Sequence, residues 1–311
     1  MKEITITAYE ADQRLDKFLG KYLREASRSF LYKMLRKKNI TLNGKKAEGS
    51  EILKIGDSVK LFFSDETFYK FRGEEQSASD LDLDAVPSVL LDVIYEDADI
   101  MFINKPAGML SQKAKADDVS LCEHVTKYLL NKGELDAEAL RAFTPSVANR
   151  LDRNTSGLIT AGKTLKGLQM LSKAFKERSV DKYYLAIVKG KLSDFTSFDG
   201  YLNKDIKSNT VSLSKNPAFG EHVHTDIGPV RFTDDYSLVR VKLITGKTHQ
   251  IRATLFKLGY PIVGDVKYGD PSGYKARRQM LHSHELTFNG TSYFAPLPRD
   301  FETVLEKLGL K

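Results

Sequence analysis

The sequence predicts an α+β protein of two domains, a small basic N-terminal unit followed by a larger unit built on a mixed, mainly antiparallel sheet. Three observations support this prediction. The chain has 311 residues, which exceeds one average domain. Helical and strand-like hydrophobic periods both occur along it, without an internal repeat. An acidic segment without a sustained period, residues 65–86, separates residues 1–64 from residues 87–311, and we expect it to be a flexible linker.

The composition is that of a folded globular chain. Hydrophobic residues make up 41% and charged residues 29%, and no apolar run approaches the roughly 18 residues that a membrane span needs. Cys122 is the only cysteine, which excludes an intrachain disulfide and a cysteine-rich zinc cluster. Residues 1–10 lack the apolar core of a secretory signal, so we expect a cytoplasmic protein.

The positive charge is unevenly distributed. The net charge is +7, but residues 65–85 hold seven acids against two bases, which leaves +12 on the remainder. Such an excess is typical of proteins that bind nucleic acid. A basic surface that only keeps a protein in solution would give the same total, so charge alone leaves both interpretations open.

The N-terminal unit contains a helical pattern that predicts two short amphipathic helices. The first covers residues 14–23, and Ser27 is placed to cap the second. Asn43-Gly44 predicts a tight hairpin, and residues 58–63 have the alternation of a strand. The second helix carries basic side chains away from its apolar stripe, namely Arg28, Lys33, Arg36 and Lys37.

The second unit begins near Pro87. Residues 93–103 predict a hairpin, and Ser120 with Glu123 predicts a capping box at the start of a helix. Residues 168–175 have helical spacing, and residues 183–188 and 238–244 are strand-like. Mixed elements of this kind favour an antiparallel α+β arrangement.

A dense polar cluster precedes one apolar strand. The segment "NRLDRNTSGLITAGKT", residues 149–164, places an arginine, an aspartate, two hydroxyls and a glycine within a few positions. From the residues alone, Asp152 is a nucleophile, a general base, a metal ligand, or only the acceptor in a turn.

Two family resemblances narrow these alternatives. The segment "RLDKFLGKYLREASRSFLYKMLRKKNITLNGKKAEGSEILKIGDSVKLFF" resembles the S-four RNA-binding domain, which implies that the basic helix binds RNA. "RLDRNTSGL" resembles the signature around the catalytic aspartate of RluA-type pseudouridine synthases. Further segments resemble the same family in order: "INKPAGM", "DKYYLAIVKG", "ITGKTHQIRATLFKLGYPIVGDVKYG" and "LHSHELTF".

This resemblance implies an enzyme that isomerises uridine to pseudouridine in structured RNA, with Asp152 as the catalytic carboxylate and with no cofactor or metal. Tyr184 then packs on the target base and assists proton removal, although a strand tyrosine of the core has the same pattern. Arg252 pairs with Asp152, and two parallel hydrogen bonds would make this pairing dependent on arginine. Arg150 enters the RNA stack when the target nucleotide flips out. Asn149 stands where the family usually has histidine, which changes the hydrogen bonding of this loop.

Relatives that carry the N-terminal module generally act on large-subunit ribosomal RNA, so we expect that substrate rather than transfer RNA, and a monomer. Three alternative functions are less compatible with the sequence. They are a non-catalytic RNA-binding protein, a glycosidase with two carboxylates, and a metal-dependent hydrolase that uses His222 with His224 or His282 with His284.

Overall fold

The computed structural model describes residues 1–7, 9–72, 86–87, 89–115, 117–136, 139–140, 143–205, 208, 210–269 and 273–311. Within these residues the chain forms seven α-helices and fifteen strands. The strands make one four-stranded sheet and one eleven-stranded sheet. The predicted α+β class is confirmed.

The N-terminal unit folds around its own sheet. Its elements are β1 (Lys2–Thr5), α1 (Leu15–Tyr22), α2 (Arg28–Arg36), β2 (Ile40–Leu42), β3 (Lys45–Lys46), β4 (Ser58–Leu61) and α3 (Asp65–Arg72). The strand order is β1-β4-β2-β3. The Ser27 hydroxyl accepts a hydrogen bond from the Phe30 N–H (3.2 Å), so the predicted cap of α2 is present. The buried sides of α1 and α2, with Phe18 and Leu31, share one core with Ile40 of the sheet.

The start of the predicted linker is wrong. Residues 65–72 form α3, and Phe68 is fully buried in the N-terminal core. Phe71 packs against Phe30 with ring centroids 4.1 Å apart. The acidic composition hid this helix, because two aromatic residues three positions apart are enough to attach one helical face to the core. Residues 73–85 lie outside the described part of the chain.

The second unit is built on the large sheet. Its elements are β5 (Val93–Glu96), β6 (Ile100–Lys105), α4 (Leu121–Asn131), β7 (Ser146–Val147), β8 (Ser156–Gly162), α5 (Leu165–Lys176), β9 (Asp181–Lys189), β10 (Thr196–Asp205), β11 (Thr210–Ser214), β12 (Glu221–Phe232), β13 (Tyr236–Leu243), α6 (Gln250–Lys257), β14 (Leu281–Phe288), β15 (Thr291–Phe294) and α7 (Arg299–Lys307). The strand order is β11-β10-β12-β13-β9-β14-β8-β6-β5, with β15 on β14 and β7 on β8. Among the described strand pairs, only β14 and β8 run parallel.

Helices cover both faces of this sheet. Met101 and Ile103 of β6 pack with α4 and α6, whereas Ile100 and Phe102 pack with α5 on the other face. This alternation is the period of two expected for a strand that is buried on both sides. The predicted capping box is present at α4, where the Glu123 carboxylate accepts from the Ser120 N–H (2.8 Å). No helix in the described ranges is long and apolar enough to cross a membrane.

Candidate active site

The loop that carries Asp152 is fixed from the side of β6. The Ser111 hydroxyl donates to the Leu151 carbonyl (2.8 Å) and accepts from the Leu151 N–H (3.0 Å). The Gly108 N–H donates to the Arg153 carbonyl (2.8 Å), and Arg153 Nε donates back to the Gly108 carbonyl (3.0 Å). These bonds hold the residues directly before and after Asp152, so the segment that follows β6 sets the position of the carboxylate.

A buried lysine lies beneath the same loop. Lys105 is fully buried at the end of β6. Its ammonium donates to three main-chain carbonyls, those of Pro106 (2.8 Å), Met109 (2.9 Å) and Arg153 (3.2 Å). Burial lowers the pKa of Lys105 to about 7, and nearby Arg278 acts in the same direction while Asp152 opposes it. The lysine thus joins two loops by saturating its three donors.

The other side of the loop is held by the segment around β14. The Ser156 hydroxyl shares a hydrogen bond with His282 Nδ1 (2.9 Å), and Arg278 Nη1 donates to the Asn154 carbonyl (3.2 Å). Gly157 has φ +108°, and a Cβ there would lie 2.2 Å from the Ser283 carbonyl oxygen. Only glycine permits β8 to approach β14 this closely.

Arg252 contacts two carboxylates. Its Nη1 donates to Asp152 Oδ2 (2.8 Å), while its Nε and Nη2 donate to Asp265 Oδ2 (2.7 Å) and Oδ1 (2.9 Å). The hypothesis of two parallel bonds to Asp152 is therefore wrong, because the paired bonds go to Asp265. Arg252 is 6% exposed, and the Asp265 side chain is fully buried. Burial opposes the charge on Arg252, but Asp265 and then Asp152 raise its pKa above the ordinary value.

The start of α6 is fixed to β12 by Gln250. Its side-chain oxygen accepts from the Thr245 hydroxyl (2.9 Å), and its Nε2 donates to the His224 carbonyl (3.1 Å) and the Thr225 hydroxyl (2.9 Å). Because Gln250 is buried and fully engaged, α6 holds Arg252 at a set distance from the sheet.

His249 and Tyr268 complete the surroundings of the carboxylate. His249 Nε2 lies 3.9 Å from Asp152 Oδ2, and its Nδ1 lies 3.1 Å from the Tyr268 hydroxyl. The Tyr268 ring faces the Arg252 guanidinium with its centroid 5.3 Å from Cζ. Burial lowers the pKa of His249, although Asp152 opposes this shift. The imidazole is therefore predominantly neutral at pH 7 and above.

Tyr184 lies on β9, opposite Ser283 of β14. Its hydroxyl makes a hydrogen bond with the Ser283 side chain, and burial raises the pKa of Tyr184 to about 12, with a further contribution from Asp152. Tyr184 is also part of the core below α4 and α6. Tyr184 is therefore a core residue of the sheet whose phenol is also affected by the charge of Asp152.

The remaining predicted residues lie apart from this contact network. Arg150 is exposed on the loop of Asp152, two residues earlier. Asn149 Oδ1 accepts from the Thr160 N–H (2.8 Å) and hydroxyl (3.0 Å), so this residue ties the loop to β8. The four predicted basic residues are all exposed in the N-terminal unit, three on α2 and one directly after it: Arg28, Lys33, Arg36 and Lys37.

Comparison with known proteins identifies the larger unit. The pattern of the family described as RNA pseudouridylate synthase matches residues 99–257, about half of the chain. This range includes Asp152, Tyr184 and Arg252. The chain belongs to the RNA pseudouridylate synthase family. The S4 domain pattern matches residues 13–59, so this synthase carries an S4 RNA-binding domain ahead of its sheet.

Curated relatives agree over most of the synthase. It is 32% identical to ribosomal large subunit pseudouridine synthase D of Borreliella burgdorferi, over 90% of this chain and 83% of that protein. It is 29% identical to ribosomal large subunit pseudouridine synthase C of Escherichia coli K12, over 99% and 97% of the two chains. The synthase is thus an RNA isomerase.

A solved structure shows the same fold. Human RNA pseudouridylate synthase domain containing 4 superposes with a TM-score of 0.58, covering 70% of this chain and 93% of that one at 21% identity.

Three residues of the contact network carry no role in the prediction from sequence: Lys105, His249 and Asp265. A usable signal existed for Asp265, which follows the apolar run "PIV" and a glycine, because an acid buried there requires a partner. Lys105 ends β6 two residues after the apolar run Ile100–Ile103, in a strand where a lysine is rarely buried without acceptors.

The histidine pairs have other partners in the synthase. His222 Nε2 and His224 Nδ1 contact the two oxygens of Asp199 (3.0 and 2.9 Å). His282 is fully buried, which lowers its pKa to about 4. Across the described ranges, no group of three or more His, Cys, Asp or Glu side chains is arranged to hold a metal ion.

Proposed function

We propose that Asp152 is the catalytic carboxylate of this synthase and that its substrate is a uridine of large-subunit ribosomal RNA. The observation that carries the proposal is the state of the carboxylate. The Asp152 side chain is 25% exposed, yet Arg252 binds it at 2.8 Å. An oriented and accessible carboxylate is what this isomerisation requires.

The two oxygens of Asp152 have different tasks. Arg252 binds Oδ2, whereas no residue that the structure describes donates a hydrogen bond to Oδ1. Isomerisation breaks the bond between N1 of uracil and C1′ of ribose, turns the base, and joins C5 to C1′. Oδ1 is placed to attack the sugar or to take the proton that leads to a glycal. Both routes use the same carboxylate and need no external group.

Access to the reacting bond requires that the uridine leave its stack. Arg150 is exposed two residues before Asp152, and its planar guanidinium can fill the vacated place in the stack. In this proposal Arg150 contacts the flanking bases while Asp152 contacts the sugar. The firm anchoring of the intervening Leu151 by Ser111 keeps the two side chains at a constant spacing.

Ribosomal RNA is favoured by the relatives and by the N-terminal charge. Both curated relatives cited above are named for the large ribosomal subunit. Residues 1–64 hold 14 basic and 8 acidic residues, a net charge of +6. The exposed basic side chains of α2 give this charge a surface that can follow phosphates.

A two-carboxylate glycosidase is less compatible with the geometry. Asp265 is the second acid near Asp152, but its side chain is fully buried and both oxygens bind Arg252. It cannot reach a sugar on the open side of Asp152, so it cannot serve as the partner acid.

The test compares Asp152→Asn with Asp234→Asn, a change at an exposed acid paired with Lys191 on the surface. Each protein is incubated with transcripts of large-subunit ribosomal RNA and of transfer RNA, and pseudouridine is mapped chemically. We expect the Asp152→Asn variant to form no pseudouridine while its melting temperature and RNA affinity stay close to those of the wild type. The control should keep full activity.

Three outcomes contradict the proposal. Normal turnover by Asp152→Asn removes this residue from catalysis. Abasic sites in place of pseudouridine indicate hydrolysis. Modification of transfer RNA alone contradicts the assigned substrate but not the reaction.

A further inference from the structure

A short turn, residues 265–269, binds a different edge of the Arg252 guanidinium from the one that binds Asp152. Two consecutive residues of this turn have opposite environments. Asp265 is 4% exposed, whereas Val266 is 99% exposed. The chain therefore places an apolar side chain fully in solvent directly after the acid that holds Arg252.

The turn is tightly fixed. Asp265 Oδ1 accepts from the N–H groups of Lys267 (2.9 Å) and Tyr268 (3.0 Å), and the Asp265 carbonyl accepts from the Gly269 N–H (2.6 Å). A Cβ at Gly269 would lie 2.0 Å from the Asp265 carbonyl oxygen, so only glycine fits. Because the backbone is held before and after Val266, its side chain has a defined place on the surface.

The turn also lines the opening at Asp152. The Tyr268 hydroxyl lies 3.1 Å from His249 Nδ1, and His249 Nε2 lies 3.9 Å from the Asp152 carboxylate. Tyr268 also lies against the guanidinium that binds Asp152. Val266 lies between Asp265 and Tyr268 in the chain, and both of these side chains contact Arg252, so the turn that carries Val266 forms one rim of the candidate active site.

We propose that Val266 packs against a nucleobase that flanks the target uridine and so helps to hold the RNA open around the flipped nucleotide. This inference rests on the proposed function. Single exposed apolar residues are common on proteins, so the exposure of Val266 alone is not evidence for an RNA contact. The location of Val266 supports the inference, because a uridine that reaches Asp152 brings its neighbouring nucleotides across the rim formed by this turn. Apolar side chains that insert beside unstacked bases are an established way to stabilise deformed nucleic acid.

The occupant is RNA rather than protein because of what surrounds the valine. Lys267 follows it directly and brings positive charge into the same turn, with its Nζ 3.5 Å from the Ser208 carbonyl oxygen, which suits a base with its phosphate. Arg150 lies on the loop that carries Asp152 itself. The two side chains are then placed to contact bases on either side of the flipped uridine.

The test uses an RNA stem-loop that carries a uridine which the wild-type enzyme is shown to isomerise. Val266→Ala removes most of the apolar side chain, and Val266→Thr keeps its shape but replaces one methyl group by a hydroxyl. The control is Val230→Ala, at a half-exposed valine of β12. Val230 lies five residues, about 17 Å along the strand, beyond Thr225, the β12 residue that contacts α6 near the site. Full exposure of Val266 means that neither change at this position disturbs the core.

Single-turnover rates are measured at saturating enzyme, together with the fluorescence of 2-aminopurine placed beside the uridine. We expect both Val266 variants to react about three- to tenfold more slowly, in line with the removal of one buried apolar group from the complex, and to produce a smaller fluorescence rise. On RNA that lacks the flanking bases, the wild type should fall to the rate of Val266→Ala. The control should match the wild type on both RNAs.

Equal rates for the Val266 variants and Val230→Ala on intact RNA would overturn the inference. So would a rate deficit of unchanged size on RNA without the flanking bases, because Val266 would then act through the protein. Failure of the wild type to isomerise any RNA is a different result, which contradicts the proposed function itself.

Discussion

Arg252 binds Asp265 through two hydrogen bonds and Asp152 through one. The buried acid therefore fixes the plane of the guanidinium, and the accessible acid receives a single bond from a group that is already oriented. This division leaves one oxygen of Asp152 without a donor from the described residues. The positive charge of Arg252 is shared between the two carboxylates. Asp152 is therefore held by one hydrogen bond, and no second bond has to break before it reacts.

Asp265→Asn tests this arrangement first. The amide keeps the volume of the side chain but loses its negative charge. Its NH2 group then faces an N–H of Arg252, so one of the two hydrogen bonds to Arg252 is lost. We expect the free energy of unfolding to fall by about 3–5 kcal/mol, because a buried charge loses its partner. The single-turnover rate should fall at least roughly tenfold, since Arg252 then no longer orients Asp152.

The matched control for that change is Asp181→Asn, at a half-exposed acid paired with Lys242 (2.9 Å). It should alter stability by no more than about 1 kcal/mol. Urea unfolding and rapid-quench kinetics measure both effects. If Asp265→Asn behaves like this control, Asp265 does not support the active site.

Arg252→Lys separates charge from geometry. Lysine retains the positive charge but lacks the planar fork, so it cannot bind both oxygens of Asp265 and also reach Asp152. We expect single-turnover chemistry to fall at least roughly tenfold with little change in RNA affinity. The comparison is Arg240→Lys, because Arg240 contacts Glu285 (2.6 Å) on the opposite face of the sheet. A near-normal rate for Arg252→Lys, or a deficit that disappears at low salt, would place Arg252 on a phosphate instead.

Local patterns were sufficient to predict most elements of the fold. The cap at Ser27, the hairpin that ends near Ile103 and the box at Ser120 are decided within a few residues, and each is found where the pattern placed it. α3 was missed for the same reason. Its acidic first turn resembles linker composition, and only the tertiary contact between Phe71 and Phe30 distinguishes it.

The motifs predicted the contact between Arg252 and Asp152 but not the other contacts of the candidate site. The order of the motifs singled out Asp152, Tyr184 and Arg252, whereas the second partner of Arg252 depends on how the turn after α6 folds back onto that helix. No periodic pattern encodes a contact of this kind. Lys105 illustrates the same limit, because lysine is ordinarily a surface residue and only the three carbonyls around it make its burial tolerable.

Charge reversal on α2 tests the RNA-binding surface. Replacing Arg36 and Lys37 together by glutamate should weaken RNA binding and reduce the logarithmic salt slope by about 0.9 for each phosphate that is no longer bound on a duplex. The chemical rate at saturating enzyme should stay unchanged, since neither residue contacts Asp152. The control is Lys173→Glu on α5, an exposed residue near Glu177. An unchanged slope would show that the α2 face is only a solvated surface.

The ionisation of Tyr184 gives a prediction about stability at alkaline pH. Burial raises the pKa of Tyr184 to about 12 in the folded protein, whereas an unfolded tyrosine loses its proton near pH 10. Between these values the unfolded chain binds fewer protons than the folded one, so the free energy of unfolding decreases as the pH rises. The decrease approaches roughly 2–3 kcal/mol by pH 12. Tyr184→Phe has no proton to lose, and its stability should fall less steeply across this window.

The measurement is urea unfolding from pH 8 to 12 for the wild type, Tyr184→Phe and the half-exposed control Tyr69→Phe. Parallel curves for the wild type and Tyr184→Phe would show that water reaches the phenol through the opening at Asp152.

A flatter curve for Tyr184→Phe alone would have a mechanistic consequence. At pH 8, only about one Tyr184 in 10⁴ would be ionised. A protonated phenol cannot act as a base. Tyr184 would then support the reaction by packing against the base of the target uridine, and Asp152 would remove the proton.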